Sequence, residues 1–163
     1  MKAKYVIFFT TSVLVILLDQ GTKTYITETM SMYESFTVVK GLFNITYVRN
    51  PGAAFGFLAG AAPGFRYVFF LTVTAIAIGL ILYYIQKSAA KSRLLVFSLS
   101  LILAGAVGNL IDRIRFEEVI DFLDVYIGSH HWPAFNIADS AISIGAVVLI
   151  IEMVMKRDKS SSL

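Results

Sequence analysis

Four long apolar runs divide this chain, and they constrain its fold more than any other feature. A helix needs about 20 largely apolar residues to cross the hydrocarbon core of a bilayer. Of the 163 residues, 57% are hydrophobic and 15% are charged, whereas average usage is roughly 45–50% apolar. The sequence therefore predicts an α-helical integral membrane protein with transmembrane helices near 5–26, 65–86, 94–112 and 138–155.

The length of the chain allows one domain, so we expect residues 1–163 to form a single membrane-embedded unit. Lys2 and Lys4 precede the first apolar run, as they would in a secretory signal peptide. No small-residue cleavage site follows this run, and the chain continues with "DQGTK". We therefore interpret the run as a retained first span.

Basic residues are distributed unevenly among the connections, which predicts the orientation in the membrane. One side carries eight of the 14 basic residues and two of the 11 acidic residues. This side and both termini are expected to be cytoplasmic, so the connections 27–64 and 113–137 face outward. The net charge of +3 is too small to indicate a nucleic-acid partner. The eight basic residues are Lys2, Lys4, Lys87, Lys91, Arg93, Lys156, Arg157 and Lys159.

The first outer connection has the pattern of β-structure. It contains "ESFTVVKGLFNITYVRN", in which Lys40-Gly41 is a plausible turn. Phe43, Ile45 and Tyr47 alternate with Asn44, Thr46 and Val48, which is typical of a half-buried strand. We therefore expect a small extracytoplasmic β-sheet on the membrane surface.

The third apolar run carries polar residues and glycines on one helix face. Gly105, Gly108, Asn109 and Asp112 have the spacing i, i+3, i+4, i+7. Glycines allow a second backbone to approach closely, and polar side chains can bond across such a contact. Close helix packing explains the two glycines best. For Asn109 and Asp112, packing and a functional role are equally good explanations.

Two other spacings have simple structural explanations. Asp19 lies four residues before Lys23, the favourable order for an ion pair on one helix face. A salt bridge between helix neighbours is the preferred interpretation of this pair. Gly52 and Gly56 follow Asn50-Pro51 in a polar connection, so a turn or a close backbone approach is favoured over helix dimerisation.

The second outer connection, residues 113–137, contains several acidic residues and ends at the start of the fourth span. Asp139 lies at the threshold of this span, where burying a carboxylate is costly. One explanation is that Asn136 caps the helix and Asp139 occupies its third position, where an acid complements the helix dipole. Asp121 could equally be an ordinary loop acid. A catalytic role is the alternative for either aspartate.

Elimination favours the two aspartates if the chain is a hydrolase. His130 and His131 are adjacent and no H-E-x-x-H occurs, so a metal site is poorly supported. No G-x-S-x-G accompanies the two histidines, nothing singles out a serine–lysine pair, and cysteine is absent. Two neighbouring carboxyls cannot both ionise, so one can act as a base towards water while the other polarises a carbonyl.

Two other classes of function remain open at this point. A proton-coupled transporter or channel would use Asp19, Asp112 and Asp139 as a relay through the bilayer. Apart from Glu152, however, the acids near the spans cluster towards the outer face, which disfavours a path across the membrane. A scaffold without activity would use the glycines for packing and the acids as caps, and would tolerate asparagine at positions 121 and 139.

Five sequence blocks, in order along nearly the whole chain, resemble the lipoprotein signal peptidase family, the type II signal peptidases of bacteria. Each block alone is weak, but the five together, at fitting depths in four spans, are specific. We see no departure from the family pattern within them. The blocks are "DQGTK" (19–23), "NPGAAFG" (50–56), "GNLIDR" (108–113), "VIDF" (119–122) and "FNIADS" (135–140).

The resemblance implies roles for individual residues. Asp121 and Asp139 match the two catalytic aspartates of this membrane aspartyl protease family, whereas Asp124 has no match. Asp19 and Lys23 match a pair that holds the architecture together. The positions that line or support the site are matched by Asn50, Gly52, Ala53, Asn109, Asp112, Arg113, Asn136 and Ala138.

The resemblance also implies a substrate and a location. The substrate would be a prolipoprotein with diacylglyceryl on the cysteine that becomes the new N-terminus, cleaved just before that cysteine. The extracytoplasmic strands would cradle it, globomycin-type antibiotics would block the site, and no cofactor or metal is implied. The protein would lie in the bacterial plasma membrane among its lipids, with the site at the outer face.

Overall fold

The computed structural model describes residues 2–53, 56–87 and 92–161 and contains four long helices. Each helix is long and apolar enough to cross a membrane, so the predicted fold class is confirmed. Lys91, from the predicted cytoplasmic group, and residues 54–55, from the second block, lie outside the described residues. The helices are α1 (Lys2–Thr29), α2 (Pro63–Lys87), α3 (Arg93–Phe116) and α4 (Ile137–Ser161).

Helix α3 is the central helix of the bundle and packs against the other three. Its glycines permit this packing, because a Cβ at Gly105 would collide with the Ala138 carbonyl oxygen of α4. A Cβ at Gly108 would lie 2.5 Å from Asp19 Oδ2 of α1. Both glycines are buried together with Asn109 and Asp112, as the predicted common face requires.

The two connections that are predicted to face outward form one four-stranded antiparallel sheet in the order β1-β2-β3-β4. The predicted turn at Lys40-Gly41 is confirmed, and Gly41 has a φ of +81° that favours glycine. The strand predicted from residues 43–48 is also present. The strands are β1 (Ser35–Val39), β2 (Phe43–Asn50), β3 (Val119–Ile127) and β4 (His130–His131).

Strand β3 joins the sheet to the helix bundle. A small apolar core fixes its first half, because Ile120 and Phe122 pack with Ile26 of α1 and Tyr47 of β2. Asp121 lies between them and pairs with Val48 of β2. The interpretation of Asp121 as a loop acid is therefore wrong, because Asp121 lies in the buried first half of a strand that has neighbours on both sides.

Candidate active site

Asp121 is held by one hydrogen bond on each carboxyl oxygen. Asn136 Nδ2 donates to Oδ1 at 2.7 Å, and Asn50 Nδ2 donates to Oδ2 at 3.0 Å. The side chain lies in the buried part of β3, with 2% of the residue exposed. Burial first, and then the negative charge of Asp139, raise the pKa of Asp121 from 3.8 to about 7, against the opposing effect of the two amides. This carboxyl is therefore able to hold a proton near neutral pH.

Asp139 lies in the first turn of α4. Its backbone N–H donates to Asn136 Oδ1 at 2.8 Å, so Asn136 is the N-cap and the predicted capping arrangement is present. Its side chain is directed to a second amide, because Asn109 Nδ2 donates to Oδ1 at 2.8 Å. The backbone of Asp139 thus belongs to the cap, whereas its carboxylate remains available to an adjoining cavity.

A cavity of about 800 Å³ brings Asp121 and Asp139 together. Its polar part also contains Asn50, Asn109 and Arg113, which come from β2 and α3. Its remaining wall is mainly apolar and comes from α2, α3, α4 and the segment before α4. These wall residues include Val73, Thr74, Ala77, Ala106, Trp132, Pro133, Ala134, Phe135, Ile142 and Ile144. The cavity can therefore accept a ligand that is polar at one end and apolar at the other.

Two buried asparagines connect the two aspartates. Asn136 Nδ2, besides donating to Asp121, lies 3.2 Å from Asn109 Oδ1 and 3.1 Å from the Ile120 carbonyl oxygen, so its two N–H groups are shared among three acceptors. Asn136 is fully buried, and Asn109 is 6% exposed. Because each amide is used at both ends, neither can rotate without losing partners. The two carboxyls are consequently fixed by one continuous amide network.

A buried ion cluster lies behind this network. Lys23 Nζ is 2.9 Å from Asp19 Oδ2 and 2.8 Å from Asp112 Oδ2, so the predicted pair of Asp19 and Lys23 includes a second carboxylate. Lys23 also donates to Asn109 Oδ1 at 2.9 Å. Neither aspartate of the cluster lines the cavity. The cluster therefore supports the amide network from the side opposite the cavity.

The same two carboxylates also hold neighbouring backbone groups. Asp19 accepts the N–H of Ala138 at 2.9 Å, and Asp112 accepts the N–H of Ile120 at 3.2 Å. Ala138 is completely buried, so its contribution is this N–H and its small size. The cluster thereby joins α1 to the start of α4, and α3 to β3.

Gln20 belongs to the cluster, although the sequence did not single it out. Its Nε2 lies within hydrogen-bonding distance of Asp19 Oδ2, Asp112 Oδ1 and the Gly108 carbonyl, at 3.0–3.2 Å. The signal was its position inside the "DQGTK" block. The cavity wall at 132–135 was missed as well, because nothing in a Trp-Pro-Ala-Phe segment by itself indicates a site.

The connection after β2 is fixed by its own backbone geometry. Gly52 N–H donates to Asn50 Oδ1 at 3.0 Å, and Arg113 Nη2 donates to the Gly52 carbonyl at 3.0 Å. A Cβ at Gly52 would lie 2.5 Å from the Phe57 carbonyl oxygen, and Gly56 has a φ of +73°. The predicted close approach and turn are therefore present. Ala53 follows directly and lines the cavity.

Asp124 is separated from the cavity despite being only three residues from Asp121. His131 Nδ1 lies 2.8 Å from Asp124 Oδ1, and Asn44 Nδ2 donates to Oδ2 at 2.8 Å. Asp124 does not line the cavity. These contacts join β2, β3 and β4, so Asp124 contributes to the sheet.

Known proteins resemble this chain over nearly its full length. The family model for signal peptidase (SPase) II matches residues 11–155. The lipoprotein signal peptidase of Syntrophus aciditrophicus is 58% identical over 161 residues, covering 99% of this chain and 100% of that protein. The lipoprotein signal peptidase of Geobacter metallireducens is 48% identical and covers 99% and 98%, respectively.

A solved structure has the same architecture. It is described as a bacterial membrane enzyme and is 38% identical in sequence. Its TM-score is 0.85, with 93% of this chain and 90% of that chain covered. Together with four apolar helices of spanning length, these similarities identify a multi-pass membrane protein. The chain belongs to the signal peptidase II family.

Proposed function

We propose that this protein is an aspartic endopeptidase that removes the signal peptide from diacylglyceryl-modified prolipoproteins, cleaving just before the modified cysteine. The observation that carries the proposal is one cavity shared by two carboxyls in different surroundings, Asp121 and Asp139. Relatives named lipoprotein signal peptidase support the substrate class. The apolar part of the cavity suits the acyl chains of such a substrate.

The two aspartates divide the acid and base roles. Asp121, whose pKa is raised to about 7, carries the shared proton and donates it to the oxygen of the scissile carbonyl. We assign the role of base to Asp139, whose carboxyl accepts a hydrogen bond from Asn109 and lies in the first turn of α4, where the helix dipole favours negative charge. It removes a proton from water, whose oxygen attacks the carbonyl carbon.

The resulting tetrahedral intermediate collapses with the reverse proton transfers. The bond from carbon to nitrogen breaks, and Asp139 gives its proton to the amine of the departing cysteine. Asp121 recovers its proton as the carbonyl of the released signal peptide re-forms. The dyad therefore returns to its starting state, and its two protonation steps belong to the pair.

The remaining residues of the polar part position the reacting groups. Asn50 and Asn136 hold Asp121 through its two oxygens, and Arg113 fixes the connection after β2 through the Gly52 carbonyl. The guanidinium of Arg113 also lies 4.6 Å from the centre of the Phe70 ring. Globomycin-type inhibitors would compete with substrate for this cavity.

The orientation follows from the basic residues. With both termini in the cytoplasm of a bacterial cell, the sheet and the two aspartates lie at the outer face of the plasma membrane. A prolipoprotein whose signal peptide spans the bilayer presents its lipid-bearing cysteine at this level. The position of the dyad, with Asp139 at the start of α4 and Asp121 in β3, therefore suits the substrate.

Cleavage by purified variants tests the proposal. In detergent, the wild type should shorten a diacylglyceryl-prolipoprotein, whereas Asp121→Asn and Asp139→Asn should each be slower by about a thousandfold or more. Asp124→Asn is the matched control, because it changes a neighbouring buried aspartate outside the cavity, and it should retain most of the activity. EDTA should leave the rate unchanged. Undiminished cleavage by either Asp121→Asn or Asp139→Asn, in a folded protein, would refute the dyad.

A further inference from the structure

The ammonium group of Lys23 has one partner that an ion pair does not explain. A lysine has three N–H donors, and those of Lys23 are matched by Asp19 Oδ2, Asp112 Oδ2 and Asn109 Oδ1. The two carboxylates already compensate the charge of a side chain that is 2% exposed. The third contact, at 2.9 Å, ends on an uncharged amide in the cavity wall.

This third contact is the shorter of two that hold the Asn109 amide oxygen away from Asp139. Oδ1 accepts from Lys23 and from Asn136 Nδ2, and Nδ2 donates to Asp139 Oδ1. With the amide turned over, its NH₂ would face the ammonium and the Asn136 NH₂, and its oxygen would face the Asp139 carboxylate. Every contact would then join two donors or two acceptors, which is costly at a buried site.

We infer that Lys23 is a positioning residue for the reaction, acting through Asn109 on Asp139. The inference rests on the proposed function, in which Asp139 is the base. Lys23 does not line the cavity, so it orients the hydrogen-bond donor of the base without contacting substrate. Its removal should therefore lower kcat and leave KM nearly unchanged.

A double-mutant cycle tests this inference. Lys23→Met removes the donors and keeps an unbranched side chain, whereas Asn109→Leu removes the amide itself. Because Asn109→Leu removes the bond to Asp139 and Lys23→Met acts only through that bond, we expect each to lower kcat by about a hundredfold and the double variant to be no slower than Asn109→Leu. KM of Lys23→Met should stay within about threefold of wild type. Independent, multiplicative losses in kcat would overturn the inference.

Asp19→Asn is the matched control for a purely stabilising role of the cluster. It removes a charge from the same ion pair and leaves the bond between Lys23 and Asn109. Both single variants should lower Tm, but only Lys23→Met should lose most of its kcat. Equal losses of kcat in the two variants would show that Lys23 only stabilises the fold.

Two further arms separate the possible failures. If Lys23→Met does not fold, the cycle is measured in an Asp112→Asn background, where loss of one positive charge is balanced by loss of one negative charge. If Asp139→Asn cleaves normally, the proposed function fails. If Asp139→Asn is inactive and the cycle is multiplicative, only the role of Lys23 fails.

Discussion

The protonation of Asp121 has a consequence for the pH dependence of cleavage. Its pKa is raised to about 7 by burial and by the charge of Asp139, and the proposed mechanism needs its proton. We therefore expect kcat/KM to fall about tenfold per pH unit above about pH 7. A pH profile of cleavage at fixed detergent concentration measures this. A rate that stays constant to pH 9, with the protein still folded, would contradict the role of Asp121 as the acid.

The raised pKa of Asp121 also makes the stability of the fold depend on pH. A carboxyl whose pKa is higher in the folded than in the unfolded state stabilises the fold fully below the unfolded value of about 4. This contribution is lost as the pH rises through about 7. Between pH 5 and pH 8, Tm of the wild type should therefore fall more than Tm of Asp121→Asn, in which position 121 cannot ionise. Parallel changes of Tm in the two proteins would argue against the raised pKa.

Single residues were predictable from sequence where the cause is local. The cap formed by Asn136 depends on a spacing of three residues at the start of α4. The ion pair of Asp19 with Lys23 depends on a spacing of four residues along α1. The amide network was not predictable, because Asn109 and Asn136 meet only after α3 and α4 pack. Gln20 was missed for the same reason, since its partner Asp112 is 92 residues away.

At the scale of elements, the contact of α3 with α4 depends on glycine. Gly105→Ala would place a methyl group against the Ala138 carbonyl and the Ile142 side chain, which typically costs about 1–3 kcal/mol. We expect a lower Tm and, because α4 carries Asp139, a lower kcat. Gly79→Ala on α2 is the control, since a Cβ there meets nothing within 4 Å and alanine favours a helix by about 0.5–1 kcal/mol. Equal Tm values for the two variants would refute this account.

Helices were easier to predict than strands in this chain. Length and hydropathy suffice for a span, because the bilayer sets both. The pairing of strand β1 with strand β2 was predictable, because a tight turn joins the two strands. Strand β3 was missed because residues 119–122 are all buried and give no alternation. Its pairing with β2 joins segments that are separated by two helices, and spacing along the chain does not reveal such a contact.

For the whole molecule, the orientation in the membrane is open to a direct measurement. The chain contains no cysteine, so a single introduced cysteine reports its own location. Lys40→Cys, in the turn between β1 and β2, should react with a membrane-impermeant maleimide in intact spheroplasts. Lys87→Cys, at the end of α2, should react only after lysis, because the positive-inside rule places it in the cytoplasm. The opposite labelling pattern would invert the proposed topology.

Asn136 makes the completion of the active site depend on the packing of three separate elements. One fully buried side chain caps α4, holds Asp121 and meets Asn109. The two aspartates are therefore held in place only when β3, α3 and α4 have packed around this side chain. A chain in which these elements have not yet packed has no finished dyad, so proteolytic activity is expected to appear late in folding.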